Sequence, residues 1–230
     1  MSPVKPKRRY DSPRRVEQAR QTRAAVVACA RRQFVRDGFA ATTIAAIAAE
    51  AQVSVETIYK AFGGKPGLVR AICATALAGE GPVPAETRSD ELQAHQPDPR
   101  KIIRGWGKLT MEVAPRVAPI LLLIRSAAAT DQEMAGLRTE MDASRLSRMT
   151  GNARNLAEAG HLRDGITVQH AGEVLWTYSS PELYELLVLN RGWPAERYSS
   201  FIADAMIAAL LPPEPPAHQP TVIRRDVPTS

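Results

Sequence analysis

Between Phe34 and Val69 the chain carries two short helical periods separated by a three-residue break. Ile44, Ile47 and Ala48 form the apolar stripe of the first predicted helix. Thr43 stands just before it as a cap, since a hydroxyl there can accept a hydrogen bond from an orphan N–H. Ala51-Gln52-Val53 interrupts the pattern, and Ser54 caps a second predicted helix ending near Phe62. Val53 and Ile58 take the N′ and N4 positions of a hydrophobic staple around Ser54. Ile58 and Phe62, four apart, point inward together. Glu56 and Lys60 then face away from the core, with Thr57 and Tyr59 on the shoulders. A helix N-terminus that presents short polar groups, a tyrosine and a lysine is suited to a major groove.

The same patterning predicts helices along the rest of the chain. One spans about Thr22 to Asp37, with Val26, Ala30 and Phe34 on one face and Gly38-Phe39 as its C-cap. Another follows Lys65-Pro66 to about Ala78, the proline occupying an early helical position. Residues 79–97 are rich in Pro, Gly and charge and read as a linker. Asp98-Pro99 then opens an amphipathic helix on Ile102, Trp106, Leu109 and Val113. Pro115 and Pro119 are expected to end it and start another, which runs to about Ala129. Thr130 and Glu133 form a capping-box pattern before a long helix bearing Met134, Leu137, Met141, Met149 and Leu156, closed by Gly160. Thr167, Ser180-Pro181 and Pro194 mark further helix starts, the last helix ending at Leu211. No segment alternates with period two, so the expected fold class is all-α.

Charge changes this picture more than composition does. Residues 1–70 hold 14 Lys and Arg against 5 Asp and Glu, whereas the remaining 160 hold 16 against 19. A basic head on a mildly acidic body fits a DNA-binding unit joined to one with another task. Residues 1–17 carry Lys5, Lys7, Arg8, Arg9, Arg14 and Arg15 among prolines and read as a disordered basic arm, either a phosphate tether or a solvated tail. The Pro-rich stretch 212–230 reads as a disordered tail. The longest aliphatic run, Val117–Ile124, stops at Arg125, far short of a membrane span. With no signal-peptide pattern at the start, a cytoplasmic location is expected. Cys29 and Cys73 lack any paired spacing and read as buried thiols.

The string F-x-x-x-G-F-x-x-T-T-x-x-x-I-A-x-x-A-x-V-S-x-x-T-I-Y-x-x-F-x-x-K-x-x-L, from Phe34 to Leu68, resembles the N-terminal domain of the tetracycline-repressor (TetR) family. It departs at Gln52, where that family usually has Gly in the turn. Gln in a left-handed conformation costs roughly 1–2 kcal/mol more. The segment SSPELYELLVLNRGWPAERY is similar to one in the C-terminal halves of some TetR-type proteins, so the resemblance spans roughly residues 20–211. It implies a helix-turn-helix domain at 18–78, with its motif at about 43–62, and a ligand-binding and dimerisation domain at 98–211.

The resemblance also implies a homodimer that sets one recognition helix in each half-site of a palindromic operator on double-stranded DNA. Thr43, Tyr59 and Lys65 would hold the phosphate backbone. Val55, Glu56, Thr57 and Lys60 would stand nearest the base edges, with Ser54 either capping or contacting DNA. The last two helices would dimerise through Leu175, Tyr178, Tyr198, Ile202, Ala205 and Ala209. An unknown small apolar or amphipathic effector would sit among Trp106, Arg125, Met134, Met141, Met149 and Trp176, although such a stripe is equally a plain core. Arg125 would meet either a carboxylate of the chain or an acidic ligand.

Enzyme signatures fail. Gly63-Gly64-Lys65 lacks the Gly and Ser/Thr of a phosphate loop, and the four histidines show no metal-ligand spacing. There is no G-x-S-x-G elbow, and Glu182 and Glu185 share a helix face without a partner constellation. No cofactor is implied and no catalytic residue is assigned. The expected function is a ligand-responsive transcriptional repressor. Its rivals are a constitutive or architectural DNA-binding protein and an all-α enzyme with a vestigial helix-turn-helix.

Overall fold

The computed structural model describes residues 13–79 and 81–214, and every regular element among them is helical. The helices are α1 (Pro13–Ala41), α2 (Ile44–Glu50), α3 (Val55–Phe62), α4 (Lys65–Ala78), α5 (Ala85–His95), α6 (Pro99–Ala127), α7 (Gln132–Glu158), α8 (Val168–Tyr178), α9 (Pro181–Tyr184) and α10 (Ala195–Leu210). A π-helical turn, Glu185–Leu189, continues α9. Residues 1–12 of the expected arm and 215–230 of the expected tail lie outside the described residues.

Hydroxyl caps start the helices where the sequence places them. Thr43, Ser54, Thr167 and Ser180 each accept from the backbone N–H three residues on. The long helix α7 differs by one residue. Asp131, not Thr130, is its cap and accepts from Met134 N at 3.0 Å.

Three other expectations need correction. Arg14 and Arg15 do not belong to an irregular arm, because α1 begins at Pro13. The 79–97 stretch contains helix α5, which buries Ala85 and Ser89. Pro115 and Pro119 do not divide α6, which runs through both. A mid-helix proline costs about 3 kcal/mol. Here Pro115 lies on the exposed side, while Ala114, Val117, Ala118 and Ile120 around the prolines are buried, so packing on neighbouring helices holds the line.

Two apolar clusters organise the chain. The first joins Val26, Phe34, Ile47, Ile58, Leu68 and Ile72 of the first four helices to Ile120 and Ile124 of α6 and Met134 and Leu137 of α7. The second lies at the far end of the body, where Ile103 and Trp106 meet Leu156, Leu175, Tyr198 and Ile202. Helices α6 and α10 pack closely. A Cβ on Gly107 would lie 2.8 Å from the Ser199 carbonyl oxygen and 3.2 Å from Ala203 Cβ.

Candidate nucleic-acid interface and body cavity

Helix α3 buries Ile58 completely, packs a half-buried Phe62 on the first apolar cluster, and turns its other residues outward. Val55 is 40% and Tyr59 53% exposed, and Glu56, Thr57 and Lys60 are exposed beside them. Thr43, at the start of α2, is exposed too and accepts from Ala46 N at 3.1 Å. Ser54 is held locally. Its Oγ accepts from Thr57 N at 3.1 Å and lies 2.8 Å from Thr57 Oγ1. The α2–α3 turn puts Gln52 at φ 54, the left-handed region that the glutamine-for-glycine departure concerns.

Lys65 is not simply aimed at solvent. Its Nζ sits 4.2 Å from the centre of the Phe39 ring and 3.5 Å from the Ala40 carbonyl oxygen. Burial lowers its pKa from the ordinary lysine value, with Asp131 opposing the shift.

Sequence reasoning missed the residues that hold α3 in place. Arg23 of α1 donates to the Ala61 carbonyl at 3.0 Å and lies 4.3 Å over the Phe62 ring. A cation there also meets the negative end of the α3 dipole. Gln33 and Arg32 both donate to Glu50 at 2.6 Å, tying α1 to the end of α2. These two hydrogen bonds, Gln33 first, hold the Glu50 carboxyl below its usual range. The 1–70 charge surplus made arginines prominent as DNA contacts and hid these bracing roles.

The body holds a partly open cavity of about 380 Å³ lined by residues of α4, α5, α6, α7, α8, α9 and α10. Trp106, Arg125, Met141 and Met149 line it, with Leu109, Val113 and Leu121 among the other apolar groups. Two candidate pocket residues stand elsewhere. Met134 is fully buried in the first apolar cluster, because the first turn of α7 packs under the head. Trp176 lies outside the wall and stacks on Arg145 at 4.4 Å. Arg125 is engaged within the chain, 2.8 Å from Glu185 and 3.5 Å from Glu182. Cys73 also lines the cavity, and burial pushes its thiol up to about 12.

The candidate dimer residues divide. Leu175, Tyr198 and Ile202 are buried within this chain, where α10 packs on α6 and α8, so those side chains are not available to a partner. Tyr178 and Tyr198 line the cavity. Ala205 and Ala209 are partly exposed, as are Leu186, Leu189 and Phe201 at 54%, 53% and 40%. Among the described residues no helix is long and apolar enough to cross a membrane, and no group of three His, Cys, Asp or Glu could hold a metal ion.

Residues 26–72 match the family model described as bacterial regulatory proteins, tetR family. No curated protein matches the chain in sequence. Solved structures share its fold. A TetR-family transcriptional regulator from Syntrophomonas wolfei aligns at 16% identity and TM-score 0.68, over 83% of this chain and 95% of that one. The SmeT–triclosan complex aligns at 18% identity and TM-score 0.66, over 91% of this chain and 100% of SmeT. NalD of Pseudomonas aeruginosa, described as the secondary repressor of the MexAB-OprM multidrug efflux pump, aligns at 18% identity and TM-score 0.64, over 84% and 98%.

Proposed function

We propose that this chain, whose residues 26–72 match the model of the tetR family of bacterial regulatory proteins, is a DNA-binding regulator: a cytoplasmic, homodimeric repressor released from a palindromic operator by a small molecule. The observation that carries the reading is the outward face of α3. Val55, Glu56, Thr57 and Lys60 project from a helix whose opposite side is locked by Ile58, on the most basic part of the chain. Val55 suits a thymine methyl, Lys60 guanine acceptors and Glu56 a cytosine amine. Thr43 offers a phosphate the N–H groups of a helix start. Tyr59 and Lys65 flank the backbone. Ser54 acts through capping, since its hydroxyl is already shared with Thr57.

Effector sensing rests on the cavity and on α4. The first turn of α4 follows the recognition helix, and its later residues Arg70, Cys73, Ala74 and Leu77 line the cavity. A ligand that favours a dimer with misplaced heads by about 10⁴-fold would convert a bound population to a released one almost completely. SmeT with triclosan bound, and NalD as a repressor, support ligand response and repression for chains of this fold. For the dimer contact, exposed Leu186, Leu189 and Phe201, with Ala205 and Ala209, replace the buried tyrosine and isoleucine of the last helix.

The deciding experiment is selection of genomic fragments by purified protein at about 150 mM salt, where nonspecific binding is weak, followed by footprinting. A protected palindrome is expected. Retention of random DNA alone would reduce the head to a nonspecific anchor. A second test concerns Lys60→Ala, expected to change preference at one or two operator positions. Equal losses on operator and random DNA would refute base reading by Lys60.

A further inference from the structure

The cavity wall contains one mostly buried cation whose nearest counter-charge is a shared and partly exposed carboxylate. The Arg145 side chain, in the middle of α7, is 16% exposed. Its guanidinium donates to the Trp176 carbonyl and, at 3.3 Å, to Ser179 Oγ, and it stacks on the Trp176 ring. The carboxylate nearest to it is Asp142 at 3.6 Å, which also serves Arg138 at 3.7 Å and is itself 45% exposed. Glu182 acts on Arg145 from further away but is engaged by Arg125. Arg145 Nε, buried, has no hydrogen-bond partner.

Two more wall residues carry unmet polar atoms. Trp106 is 7% exposed and Tyr198 0%, and neither the indole N–H nor the phenol hydroxyl has a partner. The unmet groups of the wall are therefore two pure donors and a hydroxyl. Leaving such groups unpaired is costly, and a ligand acceptor would relieve that cost. The acidic side matches in the opposite sense. Asp142 and Glu182 are held by arginines and Glu86 is exposed, so a cationic ligand finds no free buried carboxylate. Elsewhere the wall is Leu109, Val113, Leu121, Ile124, Met141 and Met149.

We propose that the effector held in this cavity is an organic acid, an apolar body ending in one carboxylate that pairs with Arg145. Trp106 Nε1 and Tyr198 Oη, after small side-chain rotations, donate to the same acceptor group, and the body lies along α6 and the methionines of α7. Guanidinium suits this role because its planar fork matches a carboxylate and stays charged even where burial lowers its pKa. The inference rests on the ligand-responsive reading above and narrows it to a chemical class.

The test uses the full chain and matched ligands that differ only in the end group. These are decanoic acid, decanamide and decylamine, and 2-naphthylacetic acid with its amide and amine. Affinities are read by titration calorimetry and by quenching of tryptophan fluorescence. The acid should bind at least about tenfold tighter than the amide of the same body, the factor expected for a charge-assisted hydrogen bond. Arg145→Gln should remove that preference and Arg145→Lys should retain part of it. Tyr198→Phe removes only an unpartnered hydroxyl, so it keeps the fold while weakening the acid several-fold, which preserves the test if Arg145→Gln does not fold. Equal or tighter binding of the amide or amine, or a preference that survives Arg145→Gln, overturns the organic-acid assignment and leaves ligand sensing standing. Binding of no member by a protein that still selects its operator overturns both.

Discussion

Helix α4 touches α3 at a point where only glycine fits. A Cβ built on Gly67 would lie 1.7 Å from the Phe62 carbonyl oxygen and 2.8 Å from its carbon. Both atoms belong to the backbone at the end of α3, so no side-chain rotation can make room. The gap must open by more than 1 Å, since real contacts of this kind do not fall below 3.0 Å. Overpacking costs about 1–3 kcal/mol, and a clash this close with backbone lies at the upper end, about 3 kcal/mol. Replacing a helical glycine by alanine returns about 1 kcal/mol. Gly67→Ala should therefore destabilise by about 2 kcal/mol and lower the melting temperature by about 4–8 °C for a chain of this size. The matched control is Gly136→Ala. That position is exposed in the second turn of α7 with nothing within 4 Å of the added carbon, so the same substitution should stabilise by about 1 kcal/mol. Thermal denaturation of the three proteins, followed by operator titration below their melting points, reads both effects. Operator affinity should fall at least tenfold in Gly67→Ala, because α3 is displaced from the body that positions it. A Gly67→Ala protein that melts with the wild type and binds operator normally would refute the close-contact argument.

Three other outcomes follow from local geometry. Gln52→Gly relieves a left-handed φ of 54 at an exposed site, worth roughly 1–2 kcal/mol, against a glycine entropy cost of roughly 0.5–1. A modest rise in denaturation midpoint is expected, and a fall would refute the strain. Lys65→Met keeps the contact on Phe39 but removes the charge, so stability should drop by no more than about 1 kcal/mol. The salt slope of DNA binding should flatten by about one on operator and random DNA alike, and an unchanged slope would exclude a phosphate contact. The Glu50 carboxyl is held below its usual range in the folded chain, so its contribution is present above that range and disappears as pH falls through the folded value. Glu50→Gln should accordingly lower the melting temperature at pH 7, with the deficit shrinking below about pH 4. A constant deficit would show that ionisation is irrelevant there.

Features written in a few adjacent residues were legible in the sequence. A hydroxyl before an apolar stripe fixes a helix start through one hydrogen bond, and Thr43, Ser54, Thr167 and Ser180 all behave so. What depends on distant surfaces was not. Pro115 and Pro119 carry a local penalty, and only the packing of α6 on its neighbours decides that the helix continues. Composition hides α5, a polar helix that buries two small residues. Periodicity places Tyr198 and Ile202 on one face without saying whether that face meets this chain or a second copy, and it meets this chain. Helix α7 shows the limit best. Its single apolar stripe serves the head cluster at Met134 and Leu137, the cavity at Met141 and Met149, and the second cluster at Ala153 and Leu156.

The first of those clusters constrains how such a protein can be taken apart. Ile120, Ile124, Met134 and Leu137 fill the underside of the N-terminal head, so the head has no complete interior of its own. A fragment cut after Ala78 would expose that underside to water and should be prone to aggregate. A chimera joining this head to a foreign body must bring matching side chains from the incoming sixth and seventh helices, or leave a hole beneath α1 and α4. The unit of exchange in engineering or recombination is therefore set by that buried seam rather than by the Pro- and Gly-rich stretch 79–97.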